Sequence, residues 1–296
     1  GFGMKILLTG GEGMLVQDFL PVLDQFPEFE CHVPPRKELD ITNQEQVEGI
    51  IKNYRPDILL NCAAYTKVDK AESESARAFL VNGISVGKLA EACHRSGVKI
   101  VHLSTDFVFD GSNRSPVTES NPTAPLGIYG KSKRDGEERI EASAADWLTV
   151  RTSWLFASRG NNFVRTMLRL GRERDEIRVV SDQFGSPTWT RDLALALCKL
   201  IRGDVKNYIH FGGLNSCSWF ELANYTLKQA HQIGLIQTLP VVTPIQTNQY
   251  PLPAPRPAYS VLSTQRYQAL TGSKPMMWEE AVDSVLQKLQ EKSQDE

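Results

Sequence analysis

Two groups of residues in this 296-residue chain have the types and spacing to do chemistry. The first is split between Ser104-Thr105-Asp106 and Tyr129-Gly130-Lys131-Ser132-Lys133. A tyrosine and a lysine at i and i+4 share one helix face, one turn apart. A phenol titrates near about pH 10 in water, too high for easy proton exchange at neutrality. A neighbouring ammonium stabilises phenolate and is expected to bring Tyr129 down, making it a general acid–base group. A hydroxyl from Thr105, at the carboxyl end of an apolar run, is placed to hold a carbonyl oxygen, because ligands of open α/β sheets sit at that edge.

The second group is Thr9-Gly10-Gly11-Glu12-Gly13. It follows the first apolar run and opens a helical pattern. Glycines there let the backbone turn tightly and approach a pyrophosphate closely, while the helix end offers unpaired N–H groups. Gly10, Gly11, Glu12, Gly13, Met14 and Leu15 are therefore the candidate pyrophosphate contacts. The last small position of the dinucleotide fingerprint carries Val16, which is expected to push the first helix outward or to find room among smaller neighbours. No acid stands plainly after the second run; Arg36, with Lys37, is placed to take a 2′-phosphate, or else is a solvated basic loop. Either group alone recurs by chance. Their order along one chain gives them force.

Those residues need elements to hold them. Runs at 5–9, 29–33, 57–61, 98–103 and 147–151 read as strands, nearly continuous in apolar residues, as in a sheet covered on both faces. Helical patterns lie between them: one carrying Leu15, Phe19, Leu20 and Leu23, one capped by Thr42 or Asn43, a long one from Ala71 to Cys93 stopped by Gly97, and 128–142. Beyond these come a helix at 163–170, an extended stretch at 177–180 and a helix at 192–201. Strand–helix alternation predicts an α/β fold with a doubly wound parallel sheet of Rossmann type and a smaller C-terminal substrate-binding lobe. Residues 4–181 are expected to form the NADP-binding domain, with later segments returning to the sheet. Residues 182–290 are expected to be mainly the lobe, and 291–296 a frayed polar tail. Gly1-Phe2-Gly3 reads as an addition before a native start at Met4.

Composition narrows the class. The chain is 41% hydrophobic and 23% charged, with formal net charge −2. That is globular, with no basic excess for nucleic acid. No apolar run reaches the length of a membrane span, and no secretory leader is evident, so the expected compartment is the cytoplasm. Five widely spaced cysteines and five histidines form no disulfide framework and no paired metal-ligand spacing. No metal site is expected, and a divalent metal requirement is left open.

At this point the chain resembles the dTDP-4-dehydrorhamnose reductase family of the extended short-chain dehydrogenase/reductase superfamily. The matching stretches are Leu39-Asp40-Ile41-Thr42, Asn61-Cys62-Ala63-Ala64-Tyr65-Thr66 with Val68-Asp69, and Ser104 through Gly111. They continue with Tyr129 through Lys133, Arg151-Thr152-Ser153-Trp154, Asn161-Asn162-Phe163 and Asp182 through Thr188. Tyr250-Pro251 and Ala254-Pro255-Arg256-Pro257 with Ser260 look like the late signature. The resemblance implies reduction by NADPH (NADH being the second candidate) of the 4-keto group of a dTDP-4-keto-6-deoxy sugar, giving dTDP-L-rhamnose. It implies Thr105, Tyr129 and Lys133 as catalytic residues, with Tyr129 and Lys133 also on the cofactor. It places Asp40 and Ile41 near adenine and Ala63, Ala64 and Tyr65 along the cofactor. Ser104, Asp106, Phe107, Trp154 and Arg256 would contact the nucleotide sugar. For Arg256 the chemistry is direct, since guanidinium pairs with a pyrophosphate in bidentate fashion.

Two departures stand out besides Val16: Phe107 replaces a more usual tyrosine, and Gly83-Ile84-Ser85 follows Asn82 where the family tends to carry alanine. A homodimer is left open. Two rival readings remain at this stage: a sugar-nucleotide epimerase or dehydratase on the same scaffold, and a non-catalytic regulatory subunit similar to the methionine adenosyltransferase β subunit.

Overall fold

The computed structural model describes residues 3–295. Most of the proposed N-terminal addition, Gly1 and Phe2, and the last residue of the expected tail, Glu296, lie outside the described residues.

The first strands and helices alternate as their patterns require. They are β1 (Met4–Thr9), α1 (Met14–Val22), β2 (Phe29–His32), α2 (Gln44–Tyr54) and β3 (Ile58–Asn61). The apolar runs bury both faces. Leu7, Leu59 and Ile100 pack with α2-side residues such as Val47 and Ile51, while Leu8, Leu60 and Val101 pack with Phe19 and Leu197. Asn43 caps α2, its side chain accepting from the Gln46 N–H.

The expected long helix after β3 is instead broken into α3 (Val68–Ala71), α4 (Ser75–Phe79), a wide π-type turn at Leu80–Ile84, and α5 (Ser85–Arg95). The physical reason lies in Asn82 and Gly83. Asn82 is fully buried; its Oδ1 accepts from the Tyr65 N–H at 2.8 Å and its Nδ2 donates to Ser132 Oγ at 3.1 Å. A Cβ on Gly83 would stand 2.2 Å from Asp135 Oδ2, so alanine there would make that flexible carboxylate turn aside.

The chain continues through β4 (Lys99–Thr105), α6 (Ile128–Ala142), β5 (Trp147–Thr152), β6 (Leu155–Phe156), α7 (Phe163–Glu173), β7 (Glu176–Val180), β8 (Phe184–Gly185), β9 (Thr188–Trp189), α8 (Thr190–Arg202) and β10 (Asn207–His210). It ends with β11 (Cys217–Ser218), α9 (Trp219–Gln232), β12 (Val241–Ile245), α10 (Gln265–Thr271) and α11 (Trp278–Gln294). Six strands form one parallel sheet in the order β10-β5-β4-β3-β1-β2. The strand order reverses at β1, so β1 and β3 flank the switch point where such sheets take ligands.

A second core belongs to the lobe and gathers Phe156, Val164, Leu168, Ile177, Leu222, Leu227, Trp278 and Val285. Its membership begins near 154, so α7 and β7 belong to it although they precede the expected boundary at 182. α8 and β10 return to the sheet core. The expected tail is also different: α11 runs through Gln294, carrying its helical ladder into the polar residues.

Val16 sits in the main core, 3% exposed, in a cluster that includes the small Ala194, Ala196 and Cys198 of α8. The valine finds room against α8 and α1 keeps its place under the glycine turn.

Candidate functional site

The glycine turn lies at the switch point. Gly10 has φ +74°, and a Cβ there would stand 2.6 Å from Ala63 N. A Cβ on Gly11 would meet Val33 Cγ1 at 2.7 Å. Only glycine lets β1, β2 and the segment after β3 meet this closely. Gly13 N donates to Gly10 O at 3.1 Å and hands the chain to α1. Among the described residues no side chain caps α1, and its first turn carries no acid. Its end N–H groups are available to an anion.

A cleft of about 450 Å³ opens there, lined by Gly10, Gly11, Glu12, Gly13, Arg36, Asp40, Ile41, Ala63, Ala64 and Tyr65 among others. Of the residues expected on the cofactor, Met14, Leu15, Tyr129 and Lys133 do not line this cleft. Leu15 is buried in the sheet core. Met14 turns to the second lobe, where its sulfur accepts from Asn162 Nδ2 at 3.5 Å. Neither is a cleft residue.

Arg77, from α4, also lines this cleft, and sequence reading missed it because a lone basic residue on a helix carries no signal. Burial pushes the Asp40 carboxyl up, but two hydrogen bonds from Thr42 and the charges of Arg36 and Arg77 outweigh it and hold it below its ordinary range. The cleft thus keeps two guanidiniums beside one anion. A glycine cradle, an uncapped helix end and a pair of arginines fit a dinucleotide carrying an extra phosphate.

A larger cavity of about 830 Å³ lies toward the lobe, lined by Phe107, Phe163, Gln183, Trp219, Tyr250 and Arg256 among others. The Arg256 guanidinium is already engaged there. It grips Asp69 through both nitrogens, Nη2 to Oδ2 at 2.9 Å, and Nη1 also donates to Ala254 O at 2.9 Å. This pair joins the late proline segment to α3, so Arg256 lines the cavity while serving first as a brace.

Trp154 does not line it. Its indole stacks on Trp219 at 3.5 Å, nearly parallel, and lies over Gly185, where a Cβ would come within 2.4 Å. Its backbone is left-handed, φ +49°, a strained state for a tryptophan. Trp219 presents the aromatic wall instead, its Nε1 donating to Gln183 Oε1 at 3.2 Å. Sequence reading could not choose between these tryptophans, since only the stack decides which ring faces the cavity.

The Tyr–Lys helix lies between the two openings. Glu72 Oε2 accepts from the Ile128 N–H at 2.8 Å and so caps α6 from α3, a partner distant in sequence. Tyr129 is half-buried, its ring edge-on to Phe107 at 5.5 Å. Lys133 is 3% exposed and donates from Nζ to Leu103 O at 2.7 Å. Thr105 Oγ1 accepts from the Phe107 N–H at 3.2 Å and donates to Asp106 Oδ1 at 3.1 Å. Asp106 Oδ2 in turn accepts from Ser260 Oγ at 2.6 Å.

The structure thus gathers Thr105, Tyr129 and Lys133 at the end of β4, but behind the walls of the cleft and the cavity rather than on them. Asp106 is 2% exposed beneath Thr105 and Ser260, so it supports Thr105 and does not reach the cavity. Ser104 is buried too, and its Oγ has no partner among the described residues.

The electrostatics differ from the sequence expectation. Burial raises the Tyr129 phenol to about 12; a hydrogen bond from Thr105 offsets this in part, and Asp106 adds to it. Burial brings Lys133 down to about 8, against the pull of Glu137 and Cys62. The expected lowering of Tyr129 is therefore not present, because burial penalises phenolate while the Lys133 ammonium is tied to Leu103. Burial also raises Asp106 to about 6, against hydrogen bonds from Ser260 and Thr105. All five cysteines are free. Among the described residues no group of three or more His, Cys, Asp or Glu is arranged to hold a metal ion. Among the described residues no helix is long and apolar enough to cross a membrane.

Residues 4–291 match the family model of the RmlD substrate binding domain. The chain is 42% identical to the dTDP-4-dehydrorhamnose reductase of Burkholderia thailandensis, over 94% of this chain and 97% of that one. It is 41% identical to the spore coat polysaccharide biosynthesis protein SpsK of Bacillus subtilis, over 96% and 97%. The crystal structure of dTDP-4-dehydrorhamnose reductase from Bacillus anthracis in complex with NADP superposes with a TM-score of 0.90 at 38% identity, covering 97% of this chain and 99% of that one. With nearly its whole length matched, a parallel sheet in the same arrangement and the glycine turn at the switch point, this chain belongs to the RmlD substrate binding domain family, that of the dTDP-4-dehydrorhamnose reductases.

Proposed function

We propose that this chain reduces the 4-keto group of dTDP-4-dehydro-L-rhamnose to dTDP-L-rhamnose, as a reductase of the short-chain dehydrogenase type. The observation that carries this reading is the meeting of Thr105, Tyr129 and Lys133 at the carboxyl end of β4, between a dinucleotide-shaped cleft and a separate aromatic-walled cavity. The reading is supported by relatives named for that reaction and by NADP in the Bacillus anthracis enzyme. Both reactants are phosphorylated small molecules, which fits a cytoplasmic enzyme.

NADPH supplies the hydride when bound. The remaining work falls to side chains of this chain. Tyr129, kept protonated by burial, is a donor toward the keto oxygen as charge develops on it. Thr105 turns its hydroxyl proton from Asp106 Oδ1 to that oxygen. Lys133 exchanges the Leu103 carbonyl for the cofactor's ribose hydroxyls and supports the phenolate left behind. The stack of Trp219 on Trp154 gives the sugar an apolar wall, and Phe107 covers Tyr129 from water.

The test is coenzyme binding by calorimetry. NADPH binds more tightly than NADH to the wild type. Arg36→Ala/Arg77→Ala weakens NADPH by about tenfold or more, as loss of guanidinium–phosphate contacts should, and leaves NADH nearly unchanged. Equal losses for the two coenzymes would remove the 2′-phosphate assignment.

The kcat/KM of sugar reduction should rise through about pH 6 as Asp106 ionises and fall through about pH 8 as Lys133 loses its proton, since this parameter reports groups of the free enzyme. Asp106→Asn should erase the acidic limb. An acidic limb that survives the substitution would dissociate Asp106 from catalysis.

A further inference from the structure

On the far side of α7 from the substrate cavity lies a groove of about 590 Å³, bounded by α7, α11 and the turn after α9. Arg165, Arg169 and Arg172 line it at i, i+4 and i+7 of one helix face. Among the described residues no acid lines this groove. We propose that it is a second ligand site, distinct from the coenzyme cleft and the sugar cavity, and that it takes a nucleotide bearing two or three phosphates.

Three observations favour that ligand. The first is length: seven residues of helix span about 10 Å, a distance that one phosphate does not bridge and a phosphate chain with its ribose does. The second is donor supply. Arg165 gives one N–H to Gly160 O at 2.9 Å, and Arg172 gives one to Leu235 O at 3.1 Å, which fixes both side chains and leaves their other donors to the groove. Arg169 has only an exposed contact with Glu173 at 3.3 Å, of a kind readily exchanged for a stronger anion. The third is the mixed lining. Leu235 and Leu289 supply apolar surface beside the arginines, which suits a base or sugar face and would be wasted on inorganic phosphate.

The surroundings do not neutralise the charge. Burial lowers Lys292 on α11, and the charges of Arg159, Arg165 and Lys288 lower it further, with Asp18 opposing them only in part. Thr166 lines both this groove and the substrate cavity, so a ligand here would rest on the other side of the wall that faces the sugar.

Calorimetry with GTP as the probe tests the site on the full chain. Three proteins are compared: wild type, Arg169→Gln/Arg172→Gln, and the charge-preserving Arg169→Lys/Arg172→Lys. The arginines exchanged are exposed, and a thermal melt of each variant establishes that it is folded. The wild type should bind one equivalent of GTP more than the glutamine variant, or bind it at least tenfold more tightly at that extra site. The lysine variant should keep part of that binding, and added salt should weaken it. Inorganic phosphate should not match GTP in the wild type. The same stoichiometry and affinity in all three proteins would overturn the proposal, as would phosphate binding as well as GTP.

Discussion

Tyr129→Phe is expected to lower kcat for reduction of the keto sugar by about 10²–10⁴-fold, the range over which a positioned proton donor acts. That corresponds to about 3–5 kcal/mol of transition-state stabilisation. NADPH affinity should change by no more than about threefold, because the lost hydroxyl is proposed to act chiefly on the alkoxide, an interaction made only in the transition state. The ring should stay in place, since its edge contact with Phe107 needs no hydroxyl. The measurement is steady-state reduction followed by NADPH absorbance, with coenzyme affinity determined separately. A variant retaining a tenth or more of wild-type kcat would mean that another group delivers the proton. The phenol standing at about 12 makes the direction plain: at neutral pH it is the protonated donor a reduction needs, and in the oxidative direction it would require the help of Lys133.

The second large effect concerns the helix that carries this pair. Arg151→Met is expected to destabilise the chain by about 3–5 kcal/mol, the cost of leaving a buried charge without its partner. Arg151 is 2% exposed and Glu137 0%. They join in bidentate fashion, Nε to Oε2 at 2.8 Å and Nη2 to Oε1 at 2.9 Å. The guanidinium lies 4.0 Å from the Tyr208 ring centre and faces His210 Nε2 at 3.3 Å. His210 is held neutral, its pKa brought down to about 3 by burial and by Arg151 itself. Glu137 keeps a contact with Arg134 at 3.0 Å, which tempers the loss without removing it. Denaturant unfolding should show a lower midpoint with little change in slope. Arg151→Met/Glu137→Leu should recover much of the loss, because an apolar pair of similar volume removes the orphaned carboxylate. If the single variant loses less than about 1 kcal/mol, the pair is not what seats α6. Because Glu137 stands one turn beyond Lys133, the single variant should also lose activity through displacement of that lysine.

Much of this architecture was readable as pattern. α6 follows its expected span of 128–142, and the five expected sheet strands lie within a residue or two of theirs, because apolar runs suit strands covered on both faces of a parallel sheet. The glycine turn could be placed from chain order alone, since it must follow β1 and precede α1. The break between α3 and α5 was not readable. It arises from Asn82 reaching Tyr65 and Ser132, partners far away along the chain. Arg77 escaped notice for a similar reason, because only folding carries α4 over the cleft.

The sequence by itself determined the sheet, the order of its crossovers and the kinds of side chain at its carboxyl edge, because those follow from local periodicity and from glycine's freedom at one turn. Tertiary structure alone decided which of those side chains face open space. Asp106 and Ser104 went under the surface, Trp154 gave its place to Trp219, and Arg256 took Asp69 as its partner. It also decided the sign of the Tyr129 shift. Proximity along a helix says that a lysine stands near, whereas burial, which depends on every segment packed around the pair, sets how costly the charged form is.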